Sequence, residues 1–231
     1  MNNQKDIRRA GLYWKTPTEP YLSVTSALGV INKPQLAYWY GQQVYYAVAA
    51  NPSLDEKAAL AAPYKTSNDA KERGSTIHTI IEAFKSTEKH IENIPAHIQP
   101  YAFAFYDFMR DHNPTMIAQE KTVFNDTHRI AGTLDIYCKI GETEMIVDVK
   151  TGKDIYQEAG LQLSAYAQML RSEGKPVKSI AVLLLETGTD GKPTGKYKFQ
   201  TMTEDFDAFL AAKKLYEYVN RERLIKLGYL K

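Results

Sequence analysis

The sequence of 231 residues is 44% hydrophobic and 24% charged, a composition typical of globular proteins and unlike that of disordered or fibrous chains. Its length predicts one elaborated domain, or a domain with an attachment, rather than a large multidomain protein. Because the net charge is only +2, any surface that binds a polyanion must be local. The single cysteine, Cys138, excludes an intrachain disulfide, a cysteine-rich zinc site and an iron–sulfur cluster built within one chain.

The sequence contains no candidate for a membrane-spanning helix. Its longest fully apolar stretch runs from Ile180 to Leu185, whereas roughly 20 residues are needed to cross a bilayer. The first nine residues lack the apolar segment of a secretory signal, and Asp6 disfavours an organellar transit peptide. We therefore expect a cytoplasmic protein without a membrane partner.

The first half of the chain has the spacing of apolar residues that is typical of helices. The predicted helices are 34–50, which stops at Asn51-Pro52, then 54–62, about 69–84 after a cap at Ser67, and about 96–110. Eight of the 26 aromatic residues lie in the first 50 positions. We divide the chain into a helical N-terminal attachment, residues 1–66, as a possible nucleic-acid-binding region, and a core, residues 67–231.

After Pro114 the pattern changes to β-branched and aromatic runs. Thr115 to Asn125, Arg129 to Ile140 and Glu144 to Lys150 predict three consecutive strands, with a tight turn at Gly141-Glu142. The chain then predicts a helix at 157–171, strands at 179–186 and 197–202, and a long helix at 204–227. This order predicts an α/β or α+β core.

Two acidic residues and a lysine are expected to converge on the second and third strands of this meander. Asp135 ends the run Gly132-Thr-Leu-Asp, and Asp148 and Lys150 share one strand face, because side chains alternate with a period of two. Buried charges need partners, and a divalent cation held by Asp135 and Asp148 would provide one. An edge-strand salt bridge is the alternative interpretation, since Asp-x-Lys recurs at Asp69 to Lys71.

Two helices carry polar pairs four residues apart, which places each pair on one helix face. His78 and Glu82 form the first pair, and an imidazole beside two carboxylates is a candidate metal ligand. Gln162 and Tyr166 form the second pair, whose polar tips are candidates for contacts to a phosphate or a base. A polar helix face and an interhelix hydrogen bond are the alternatives.

Together these residues resemble the RecB-like branch of the PD-(D/E)XK nuclease superfamily. The matching positions are Gly74, His78 and Glu82, then Gly132-x-x-Asp135, then Asp148 to Gly152, then Gln162-x-x-x-Tyr166. The resemblance implies a restriction-endonuclease-like core, with a mixed central sheet flanked by helices. It also implies that His78, Asp135 and Asp148 bind one or two Mg²⁺ or Mn²⁺ ions with the carbonyl of Val149, and that Lys150 is catalytic.

The N-terminal segment narrows this resemblance. Tyr21 to Leu28, with Lys33-Pro34 and Trp39, is similar to the signature of phage exonucleases and of the mitochondrial genome maintenance exonuclease. Ser23 and Thr25 are candidates for capping a helix that faces a phosphate, and Trp39 for stacking on unpaired bases. Core packing is the alternative for the aromatic residues. The chain does not belong to the subgroup of this superfamily that binds an iron–sulfur cluster through four cysteines, because it has only Cys138.

The resemblance leaves two acidic residues with less defined roles. Glu120 is a candidate for the strand acid that precedes the Gly-x-x-Asp motif in the family, and Glu82 for orienting His78 or a second-metal water. The expected activity is a metal-dependent exonuclease on single-stranded or free-ended DNA, in a bacterial or phage-infected host cytoplasm. A structure-specific or nicking endonuclease with the same site, and an accessory protein that binds nucleic acid without cutting, remain the alternatives.

Overall fold

The computed structural model describes residues 8–83, 94–189 and 191–231, except the side chains of residues 66, 68–73, 79, 80, 82 and 83. The strands are β1 (Arg8–Arg9), β2 (Leu12–Thr16), β3 (Glu19–Ser23), β4 (Thr115–Asn125), β5 (Ile130–Ile140), β6 (Thr143–Gly152), β7 (Ser179–Thr187) and β8 (Pro193–Thr201). The helices are α1 (Val24–Ala27), α2 (Pro34–Ala50), α3 (Glu56–Ala83), α4 (Gln99–His112), α5 (Glu158–Ser172), α6 (Phe206–Val219) and α7 (Arg221–Lys226).

The eight strands of the described residues form one mixed sheet. The strand order is β1-β2-β3-β5-β6-β7-β8, and β4 pairs with β5. The β3–β5 and β6–β7 pairs are parallel, whereas the other pairs are antiparallel. Gly141 adopts the positive φ of 57° that the tight β5–β6 turn requires. The predicted three-stranded meander and the mixed α/β architecture are therefore confirmed.

Helices cover both faces of the sheet. One apolar cluster joins α5, α6 and α1 to the sheet through residues such as Leu163 and Phe209. The other joins α4 and the end of α3 to the opposite face through residues such as Phe105 and Ile81. Val147 and Val149 pack into this second cluster, so Asp148 and Lys150 point to the α5 side, as the alternation of β6 predicts.

Three elements differ from the sequence-based prediction. Residues 8–23 of the expected helical attachment form strands β1 to β3, and β3 pairs directly with the core strand β5. The two helices expected on either side of Ser67 are one continuous helix, α3, that contains Pro63 and crosses the proposed boundary at residue 66. Pro63 is buried, so tertiary packing overrides the local stop signal. The expected C-terminal helix is divided at Asn220.

None of the helices in the described part of the chain has the length and apolar character needed to span a membrane.

Candidate active site

The sheet has a fork beside β5, because one edge of β5 pairs first with β3 and further along with β6. On one edge β5 pairs with β3 at Ile130 and Ala131, and on the same edge its pairing with β6 begins only at Ile136. Residues 132–135 of β5 therefore face the opening of this fork. Asp135 lies at its base, and Asp148 lies one residue beyond the last β5–β6 pair, Ile136 with Val147. The topology thus brings two acidic side chains to one point.

Asp135 is buried at the fork, with an exposed fraction of 8%. The backbone N–H of Val149 donates a hydrogen bond of 2.7 Å to Asp135 Oδ2, which ties β6 to β5 where their regular pairing has ended. Burial and the nearby charge of Asp148 raise the pKa of Asp135 to about 7. The site therefore resists a second buried negative charge unless a cation accompanies it.

His78 and Glu120 approach Asp135 from α3 and β4. His78 Nδ1 lies 2.9 Å from Glu120 Oε1 and 3.7 Å from Asp135 Oδ1. The hydrogen bond to Glu120 and the charge of Asp135 raise the pKa of His78, although burial opposes this change. One ligand atom from each of these three residues lies within 4.8 Å of the others. A nitrogen and two carboxylate oxygens form a donor set suited to a divalent cation.

An unusual backbone conformation places Glu120 in this cluster. Its neighbours Gln119 and Lys121 pair with Ile136 and Leu134, so Glu120 stands opposite Asp135. Glu120 has a φ of 45°, in the left-handed region that non-glycine residues rarely adopt. Such a conformation costs about 1–3 kcal/mol and is often found at functional sites. The sequence identifies Glu120 as a candidate acid, but it contains no signal for the positive φ at this position.

Asp148 is held on the α5 side of the fork. Lys150 Nζ donates a hydrogen bond of 2.9 Å to Asp148 Oδ1, and Gln162 Nε2 donates another of 2.8 Å to the same oxygen. Asp148 Oδ2 is buried 2.8 Å from Lys150 Nζ, but it accepts no hydrogen bond from the described residues. This ion pair offsets part of the cost of burying the charge, and coordination of a metal would offset more of it.

The pKa of Lys150 is raised, because the charges of Asp148 and Asp135 outweigh the opposing effect of burial. Lys150 is therefore an ammonium group in this state, with 45% of its side chain exposed. It is suited to donate hydrogen bonds to an anionic group and not to accept a proton.

The structure thus groups the predicted residues in two sets. His78 and Asp135 form a compact cluster with Glu120, whereas Asp148 is fixed beside it by Lys150 and Gln162. Val149 contributes its N–H to Asp135, and a metal contact by its carbonyl remains a prediction. The side chain of Glu82 lies outside the described residues.

Tyr166 is buried beside the site, and its predicted contact with DNA remains a prediction. It is 2% exposed and packs against Gly132, where an added Cβ would lie 2.4 Å from Tyr166 Cε1. Burial raises the pKa of its hydroxyl well above the usual value. Because the ring is enclosed between β5 and α5, Tyr166 is placed to fix the spacing of these elements, and a direct contact with DNA would require it to move.

Ser23 and Thr25 lie outside the metal cluster. Ser23 precedes α1, but its side chain makes no capping hydrogen bond there, so the expected capping role is wrong. Its hydroxyl instead lies 3.0 Å from that of Thr25, which accepts a hydrogen bond from Arg8. The contact from Arg8 was not predicted from the sequence. Direct DNA contacts by Ser23 and Thr25 remain a prediction.

Trp39 lines a cleft that also includes Lys150 and Gln162. The cleft has a volume of about 870 Å³ and lies between α2 and the segment that joins β6 to α5. Lys33 and Glu158 form an ion pair of 2.9 Å between these two walls. The cleft is also lined by Glu158 and Tyr156, which belong to none of the sequence motifs.

No protein-family model and no curated protein matches the chain. Several solved structures of exonucleases are similar to it at low sequence identity. A provisionally assigned exonuclease from Eubacterium rectale has 14% identity and a TM-score of 0.49, over 91% of this chain and 83% of that one. A phage-related exonuclease from Haemophilus somnus has 12% identity and a TM-score of 0.36, over 65% and 83%.

An alkaline exonuclease from Laribacter hongkongensis has 12% identity and a TM-score of 0.31, over 90% of this chain and 94% of that one. The same enzyme is also known in complex with dAMP. TM-scores below 0.5 do not assign an activity, so the chemistry of this chain has to be inferred from its own side chains.

Proposed function

We propose that this protein is a metal-dependent DNA exonuclease of the RecB-like PD-(D/E)XK type, which hydrolyses phosphodiester bonds of single-stranded or free-ended DNA. The observation that carries the proposal is the cluster of His78, Glu120 and Asp135 at the fork, whose Asp135 interacts with the charge of the buried Asp148. The ammonium group of Lys150, beside Asp148, adds a positive charge that can stabilise the negative charge of a phosphate. Recombination, repair or replication of DNA in a bacterial or phage-infected cytoplasm is the proposed setting.

A hard divalent cation fits the oxygen-rich donor set of the fork. His78, Glu120 and Asp135, with Asp148 Oδ2, would hold Mg²⁺ or Mn²⁺. Bound there, the ion would polarise a phosphodiester and lower the pKa of a coordinated water. The positive charge would also favour the ionised form of Asp135, whose pKa is raised by burial.

The side chains of the chain itself perform the remaining tasks. Lys150, as an ammonium group, donates to the phosphate oxygens on which negative charge develops during displacement. Gln162 fixes Asp148 through its hydrogen bond to Oδ1, so the opposite oxygen keeps its direction. Glu120 orients the His78 ring in the same way through Nδ1. The site is thereby ordered before substrate binds.

A time course of DNA cleavage tests this proposal. The substrates are linear single strands labelled at either end, circular single strands and duplex DNA, each incubated with Mg²⁺, Mn²⁺ or EDTA. Wild type is compared with Lys150→Ala and with Lys139→Ala, a matched control on β5 whose lysine pairs with the exposed Glu142. We expect metal-dependent shortening of linear strands, loss of activity in Lys150→Ala and full activity in Lys139→Ala.

The same experiment separates the alternatives. Cleavage of circular strands would reassign the site to an endonuclease, because circles offer no end. DNA binding without cleavage in any metal would reject the enzyme and favour an accessory binding protein. Equal activity of Lys150→Ala and wild type would refute the assignment of the site.

A further inference from the structure

The cleft beside the candidate site continues along α2. A second cavity of about 660 Å³ shares residues such as Lys33, Trp39 and Tyr156 with the first, but extends to Asn32 and Gln35. Lys150 and Gln162 line the first cavity and not the second, so the two cavities form a path that leads away from the site. Each volume lies within the roughly 300–1,000 Å³ typical of ligand-binding clefts.

Two aromatic rings line both parts of this path. Trp39 projects from α2, and Tyr156, which is 52% exposed, projects from the segment between β6 and α5. None of the residues of α2 is buried, so the Trp39 ring is not part of the hydrophobic core. Trp39 is half-buried and Tyr156 is exposed, and accessible rings beside a phosphate-processing site are suited to stack on nucleobases.

The charged groups of the path are arranged for a polyanion. Lys33, Lys150 and Lys153 line it, together with the acids Asp154 and Glu158. Glu158 is paired with Lys33, which reduces its repulsion of a phosphate. α2 itself has no charged residue, so this wall offers ring and apolar surface while the lysines lie at its start and on the opposite wall.

We infer that this path binds one unpaired DNA strand, with bases stacked on Trp39 and Tyr156 and the backbone contacted by Lys153. This inference rests on the proposed function and specifies its substrate class as a single-stranded end. In a duplex the bases are paired and stacked on each other, so they offer no free face to either ring. A duplex end must therefore separate before its strand enters the path.

Binding measurements without catalysis test the inference. The dissociation constants of a labelled oligothymidylate and of a blunt hairpin duplex are measured by fluorescence anisotropy in EDTA. The variants are Tyr156→Ala, Tyr156→Phe and Trp39→Ala, with Tyr218→Ala on α6 as a matched control that is 79% exposed. Circular dichroism spectra show whether each variant is folded.

We expect Tyr156→Ala and Trp39→Ala each to weaken single-strand binding on the order of 5- to 150-fold, the range found when a stacking ring is removed. Tyr156→Phe keeps its ring and should bind like wild type, as should Tyr218→Ala. Lys153→Met should reduce the slope of log affinity against log salt by about 0.7, the value for one phosphate contact on a single strand. Hairpin binding should change little in either ring variant.

A second readout separates this inference from the proposed function. Hydrolysis of bis(4-nitrophenyl) phosphate in Mn²⁺, an ester without a nucleobase, is compared between wild type and Lys150→Ala and reports on the metal site independently of strand binding. If the proposed function fails, wild type cleaves neither this ester nor DNA, whereas the ring variants still lose single-strand affinity. Wild-type single-strand affinity in both ring variants, or an equal loss on the hairpin, would overturn the inference.

Discussion

Gly132 packs against Tyr166 without room for a Cβ atom, which predicts that Gly132→Ala is damaging. An alanine Cβ would lie 2.4 Å from Tyr166 Cε1, 2.9 Å from its hydroxyl oxygen and 3.1 Å from Cζ. Carbon atoms in favourable contact are about 3.5–4.0 Å apart, so the ring or the strand would have to move by about 1 Å. Tyr166 is 2% exposed and has little free space in which to move.

We expect Gly132→Ala to lower the free energy of unfolding by about 1–3 kcal/mol, the usual cost of overpacking. Alanine is otherwise better than glycine in a strand by roughly 0.5–1 kcal/mol, so a loss of stability would have to come from the clash. Gly132 lies three residues before Asp135 on β5, and a shift of about 1 Å in catalytic geometry can reduce turnover by on the order of 100-fold. Urea denaturation and DNA cleavage rates measure the two effects.

Gly152→Ala on β6 is the control, because its Cβ would meet Leu184 Cδ1 at an ordinary distance of 3.8 Å. We expect its stability to equal that of wild type or to exceed it by up to about 1 kcal/mol. Tyr166→Ala removes the clashing ring, so the double variant with Gly132→Ala should be more stable than the sum of the single effects by about 0.5–3 kcal/mol. Additive effects, or a Gly132→Ala protein as stable as the control, would refute the reasoning.

Three further predictions concern the ligands and α3. Glu120→Gln should weaken Mn²⁺ binding at least about tenfold, as measured by calorimetry. It should also lower the pKa of His78 in an imidazole NMR titration, because the hydrogen bond to Glu120 is the main cause of the raised pKa. An unchanged pKa would show that the two residues are not in contact. Since the pKa of Asp135 is raised to about 7 and that of His78 is also raised, these two groups bind more protons in the folded metal-free protein than in the unfolded chain above about pH 4. Its melting temperature should therefore fall as the pH rises towards 8, and Mg²⁺ or Mn²⁺ should restore it most at pH 8; a gain equal at pH 5 would contradict this. Gly74→Ala should stabilise α3 by up to about 1 kcal/mol in urea denaturation, because alanine favours a helix more than glycine does. The new Cβ would meet no neighbouring side chain of the described residues within 4 Å. Destabilisation would show a contact with a part of the chain outside these residues.

The sequence predicts those elements whose signals are local. The predicted bounds of α2, 34–50, coincide with the observed helix because Pro34 and Asn51-Pro52 mark its ends. The β4–β6 meander follows from β-branched runs and the turn at Gly141. Strands β1 to β3 were missed because they are short and because the β3–β5 pair joins residues more than 100 positions apart.

The same distinction applies to the candidate site. Period-two alternation correctly places Asp148 and Lys150 on one face of β6. It does not predict that Gln162 and Lys150 donate hydrogen bonds to the same Asp148 oxygen, because this depends on how α5 packs across the fork. The position of Glu120 is the feature least predictable from the sequence. Its alignment with Asp135 depends on a positive φ in β4, and no residue type in this segment predicts that conformation.

Three energetically unfavourable features coincide at the fork, and together they argue that the site is built for a cation. Glu120 holds a backbone conformation that costs about 1–3 kcal/mol. Asp135 has a carboxyl group whose ionisation burial opposes, and Asp148 is a second buried carboxyl group, 2% exposed, close enough to raise the pKa of Asp135. A domain is stable by only about 5–15 kcal/mol, so such features are a large fraction of the total. A structural salt bridge between Asp148 and Lys150 would explain none of the cost at Glu120 or Asp135, whereas a divalent cation would offset the electrostatic cost at both carboxylates and give the strained conformation of Glu120 a function.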